Sequence, residues 1–110
     1  VKTYYDDGQL KSEGNYINDK KDGLYREWRG NGQLEFEGNY IDGEEDGLHK
    51  EWYKDGQLFR EVNFKDGLRE GLNREWYGNG QLKSEQNWKK NKSYTTKGYK
   101  ENGDLFYHRE

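Results

Sequence analysis

Glu51-Trp52-Tyr53-Lys54-Asp55-Gly56-Gln57-Leu58 decides how this chain is read, because the chain repeats it. Twenty-four residues earlier stands Glu27-Trp28-Arg29-Gly30-Asn31-Gly32-Gln33-Leu34, and twenty-four later stands Glu75-Trp76-Tyr77-Gly78-Asn79-Gly80-Gln81-Leu82. A frayed copy, Gly98-Tyr99-Lys100-Glu101-Asn102-Gly103-Asp104-Leu105, lies near the end, and a truncated one, Tyr4-Tyr5-Asp6-Asp7-Gly8-Gln9-Leu10, near the start. Self-similarity at a fixed period is the mark of a repeat architecture, in which each unit contacts only its neighbours.

Within the unit the apolar period is two, that of a strand. Leu48, Lys50 and Trp52 fall on one face, and His49, Glu51 and Tyr53 on the other. On the return strand, strict alternation puts Leu58, Arg60, Val62 and Phe64 together, against Phe59, Glu61 and Asn63. Gly30-Asn31-Gly32 and Lys54-Asp55-Gly56 fit three-residue hairpin loops closed by a left-handed glycine, so Gly32, Gly56 and Gly80 are expected at positive φ. That register sets Trp28 opposite Leu34 and Trp52 opposite Leu58. It also sets Tyr25 and His49 across from Glu37 and Glu61. Ile17 to Gly23 and Ile41 to Gly47 read as longer polar surface turns. Strands are expected near 8–16, 24–29, 33–40, 48–53, 57–64, 72–77, 81–88, 97–100 and 104–109. Nine strands at ~4.8 Å each span roughly 40 Å.

The expected fold is all-β: a single-layer, elongated, twisted antiparallel meander of about four 24-residue hairpin repeats. Residues 1–110 form one domain, with units at 1–23, 24–47, 48–71, 72–95 and 96–110, the terminal ones partial or degenerate. Composition agrees with one layer. Leu, Ile, Val and Phe number 17 of 110 residues, too few for a two-layer core, while ten Tyr, four Trp and four Phe supply area instead.

Charge is dense but balanced, 19 basic against 22 acidic residues, which argues against a nucleic-acid footprint and makes a membrane partner unfavourable. Without cysteine there is no disulfide framework or thiol chemistry. His49 and His108 have no second ligand at metal spacing and read as surface residues. The acidic stretch Asp42-Gly43-Glu44-Glu45-Asp46 lacks the spacing of a calcium loop. No cofactor is expected. The chain begins at Val1 and contains no Met, as expected of a fragment or a processed form.

The recurring Asp-Gly-Leu, Glu-Trp-Tyr and Gly-Gln-Leu steps resemble the MORN repeat, specifically its bacterial second variant, as in the YwqK-like antitoxin family. The resemblance covers about four copies. It implies an elongated sheet of consecutive hairpins, contact with a protein partner such as a toxin, and an antitoxin or immunity role in bacteria. For the eukaryotic variant it implies lipid association, which this chain's charge does not favour. The compartment stays open between bacterial cytoplasm and an exported or cell-surface location.

The chain is expected to be a non-catalytic binding module, acting through an aromatic face or through edge strands, and to be capable of self-association. The alternatives are a cell-surface or periplasmic carbohydrate-binding repeat and a lipid-surface module. Candidate binding residues are Trp28, Phe36, Tyr40, Trp52, Leu58, Phe64, Trp76, Trp88 and Tyr99, all expected on one Leu/Trp face. The tryptophan column is expected to pack with Leu34, Leu58 and Leu82. The glutamates Glu27, Glu51, Glu75, Glu37, Glu61 and Glu85 are expected together on the opposite, solvated face. A column repeated three or four times is a poor catalytic constellation, because catalysis needs a unique arrangement.

Overall fold

The structure, a computed structural model, describes residues 1–90 and 92–109, with no account of the side chains of 94–96 and 106–109. Its strands are β1 (Lys2–Tyr4), β2 (Leu10–Ile17), β3 (Lys20–Trp28), β4 (Leu34–Ile41), β5 (Glu44–Glu45) and β6 (Gly47–Trp52). They continue as β7 (Leu58–Lys65), β8 (Leu68–Arg69), β9 (Gly71–Trp76), β10 (Leu82–Lys89), β11 (Lys92–Tyr99) and β12 (Leu105–Arg109). All join one antiparallel sheet in the order β1-β2-β3-β4-β6-β7-β9-β10-β11-β12, with β5 pairing β4 and β8 pairing β7. The molecule measures 44 × 32 × 12 Å, so it is one sheet thick. Ten strands at the usual spacing account for the long dimension.

The hairpin loops form as the sequence demands. Gly32, Gly56 and Gly80 have φ of 89°, 92° and 87°. In the central loop the Gly56 amide donates to the Tyr53 carbonyl at 3.0 Å, and the Tyr53 amide to the Gln57 carbonyl at 2.8 Å. Asp55 closes the corner by accepting the Gln57 amide at 3.0 Å, as Asn31 and Asn79 do in the neighbouring loops.

The other connection is tighter than expected. Ile41 pairs with Glu44 and Lys65 with Leu68, leaving two-residue turns, Asp42-Gly43 and Asp66-Gly67, with both residues at positive φ. This is the hairpin turn whose twist matches that of the strands. The ladder therefore continues into the stretches expected to be loops. The N-terminal strand β1 was also not expected.

The largest correction concerns the faces. Trp52 does stand opposite Leu58, and Trp28 opposite Leu34, as expected. The next pairs, however, are Glu51 with Arg60 and Glu27 with Phe36, which skips Phe59 and Glu35. Lys83 is skipped in the same way, because Leu82 pairs with Trp76 and Ser84 with Glu75. One extra residue in a strand inverts every later side chain. Phe36, Tyr40 and Phe64 therefore lie on the face opposite Trp28, Trp52 and Trp76. So does Trp88, which pairs with Gly71.

The glutamate columns separate for the same reason. Glu27, Glu51 and Glu75 lie opposite the tryptophans as expected, but Glu37, Glu61 and Glu85 share the tryptophan face. There they pair with Arg26 at 2.8 Å, Lys50 at 4.0 Å and Arg74 at 2.9 Å. Tyr25 faces Gly38 and His49 faces Val62, in place of Glu37 and Glu61.

The core is a line across the aromatic face, with no fully buried side chain among the described residues. Tyr25 is 9% exposed, His49 6% and Asn73 7%. His49 is thus a packed residue, where the sequence suggested a surface one; the side chain of His108 falls outside the described residues. His49 Nε2 donates to the Asn39 carbonyl at 2.9 Å, and its ring meets those of Phe64, Tyr40 and Phe36 at 4.9, 5.1 and 5.6 Å between centroids.

Candidate functional site: a groove on the aromatic face

Successive units are tied by the residue that follows the tryptophan position, which Tyr4 fills in the first unit. The hydroxyls of Tyr5, Tyr53 and Tyr77 donate to the carbonyls of Trp28, Trp76 and Tyr99 at 2.6, 2.6 and 2.7 Å. Arg29 takes this place in the second unit, its Nη2 donating to the Trp52 carbonyl at 2.9 Å. These bonds hold the hairpin ends at fixed spacing, and a groove of about 870 Å³ lies beside them. Phe36, Tyr40, Tyr53 and Phe59 supply its aromatic lining, and Trp52 borders it as well. Its charged lining includes Lys21, Arg29, Glu27, Glu35 and Glu51.

Phe36 and Tyr40 are placed by β4, one strand away from Tyr25, with ring centroids 6.3 and 6.2 Å from it. Tyr53 and Phe59 lie across the central loop, their rings 4.9 Å apart. The Lys21 ammonium sits 3.8 Å from the Tyr25 ring centroid and 5.0 Å from that of Tyr40. Such cation–ring contacts keep a lysine fixed without a carboxylate. Arg29 is held by Glu35 at 3.0 Å and by the Trp52 carbonyl.

Tyr25 donates its hydroxyl proton to Glu27 at 2.9 Å. Burial, reinforced by this bond to a carboxylate, pushes its pKa up to about 12. Burial, with the nearby negative charge of Glu45 second, raises that of Tyr40 also. Neither phenol is an acid–base group for neutral pH. Among the described residues, no cluster of His, Asp or Glu has the makings of a metal site.

Of the residues expected to bind, Phe36 and Tyr40 line the groove together, and Trp52, on the opposite face, borders it. Phe64 joins the His49 ring row next to it. Trp88 lies farther along the same face, under the Arg69 guanidinium at 4.9 Å and donating to Gln86 at 2.9 Å. Trp28, Trp76 and Leu58 are half-buried on the other face, and Tyr99 pairs with Leu105 at the far end. Tyr53 and Phe59 are not among the expected binding residues, and Glu27 is expected only as part of a solvated glutamate column. The adjacent apolar pair Leu58-Phe59 was the one visible sign that alternation breaks there.

The chain belongs to the MORN repeat variant family, whose pattern matches residues 1–18, 21–42, 45–66 and 69–90. A search of curated proteins finds no match to this chain.

Proposed function

We propose that this MORN-type sheet is a non-catalytic module that binds a protein partner through the grooved aromatic face. The observation that carries the reading is the convergence of Phe36, Tyr40, Tyr53 and Phe59 with charged side chains in one open groove of about 870 Å³. Aromatic anchors ringed by charge are the composition of protein-binding surfaces. A one-layer sheet must also leave part of such a face uncovered. On the opposite face Leu24 and Leu48, at 41% and 40% exposed, stand among the paired charges of Arg26 with Glu37 and Lys50 with Glu61. In its finer form the role is antitoxin-like, as in the YwqK-like family, and the partner is a toxin.

The test is co-expression with toxins encoded beside the gene, read as cell growth and as complex formation. Phe36→Glu is expected to abolish protection while the β-sheet circular-dichroism spectrum persists. Leu48→Glu, on the other face, is expected to protect normally. The reverse pattern would move the working surface to the tryptophan face. Glycan binding that depends on Phe36 would favour a carbohydrate module instead.

A further inference from the structure

The floor of the groove repeats a charge motif with one substitution. Phe36 is the cross-strand partner of both Glu27 and Glu51. One unit further on, Arg60 is the cross-strand partner of both Glu51 and Glu75. Its guanidinium lies 3.3 Å from Glu75 and 3.9 Å from Glu51, and 4.9 Å from the Phe59 ring centroid. The fold thus contains its own example of one arginine set between two glutamates of this column, against an aromatic ring.

Between Glu27 and Glu51 the column carries Phe36 and no cation. Among the described residues Glu27 makes no ion pair, its carboxylate accepting the Tyr25 hydroxyl. The basic side chains beside it are engaged elsewhere, Arg29 by Glu35 and Lys21 by the Tyr25 and Tyr40 rings. Two half-buried carboxylates flanking a ring suit a planar, weakly hydrated cation, which can meet both and stack on the ring.

We infer that the groove receives an arginine side chain of the partner protein, its guanidinium over Phe36 between Glu27 and Glu51. This rests on the protein-binding reading above and adds the chemistry of the contact. A guanidinium fits better than an ammonium because only the former presents a flat face to Phe36 while donating sideways to two carboxylates.

Short random peptides displayed on phage, selected against the whole chain, test it, with the binding face mapped by ¹⁵N chemical shifts. Peptides that map to the groove are expected to share an arginine. Replacing that arginine by citrulline, its neutral isostere, is expected to weaken binding roughly tenfold or more, as is Glu27→Gln. Phe36→Arg should fold, since the same column already holds Arg60, and should lose the arginine peptides because its own guanidinium fills the place. Groove-bound peptides that tolerate citrulline, or that still bind Phe36→Arg, would overturn the inference and leave the protein-binding reading standing. Peptides confined to the tryptophan face, or no binder at all, would overturn both.

Discussion

Tyr25 draws its environment from glycines. Its cross-strand partners are Gly14 and Gly38, and a Cβ at Gly14 would come within 2.6 Å of the Tyr25 ring. A Cβ at Gly38 would lie 2.5 Å from His49 Nδ1, so the His49 ring would have to leave its place among Phe36, Tyr40 and Phe64. Gly38→Ala is therefore expected to cost about 1–3 kcal/mol, measured by urea unfolding. The buried phenol makes a second expectation. Its pKa rises from 10.0 to about 12 on folding, so the fold favours the neutral form. That contribution is complete below pH 10 and is lost as pH climbs to about 12. Melting temperature should fall across this window, and Tyr25→Phe should flatten the fall. An equal fall in both proteins would remove Tyr25 as its source.

The hairpin is the element that repeats, and one side chain per unit, a tyrosine hydroxyl or the Arg29 guanidinium, bonds it to the next. Tyr53 donates to the Trp76 carbonyl at 2.6 Å across the unit boundary. Tyr53→Phe keeps the ring beside Phe59 and removes only that donor. A loss of about 1 kcal/mol is expected. Trp52 is half-buried opposite Leu58, so it packs against the sheet with part of its surface wet. Truncation to alanine should cost about 2 kcal/mol, below the ~3–5 kcal/mol of a fully buried tryptophan. Guanidinium melts of the two variants rank them, and a larger loss for Tyr53→Phe would reverse the assignment of weight between ring and hydroxyl.

At the level of the whole sheet, adjacent units pair by the same register. Phe36 with Glu51 joins one pair of hairpins, and Arg60 with Glu75 joins the next. Excision of residues 45–68, one full period, should therefore leave a sheet that folds. It should be shorter by two strands, or roughly 10 Å. Small-angle scattering measures the dimension and calorimetry the cooperativity. A deletion variant without ordered β-structure would show that contacts beyond neighbouring units hold the sheet.

The period of twenty-four, the left-handed glycines of the loops, and the pairing of Trp28 with Leu34 and Trp52 with Leu58 were all legible in the sequence. Each is encoded locally or repeats column by column, so no distant contact is needed to specify it. The sequence did not show which face Phe36, Tyr40 and Phe64 would occupy. The extra residues Glu35, Phe59 and Lys83 each shift the return strand by one, and alternation read along a single strand has no term for that shift. Nor does the sequence alone bring Glu27, Phe36 and Glu51 side by side. They come from three strands, and only the assembled ladder, bonded across that unit boundary by Arg29, sets them in one row.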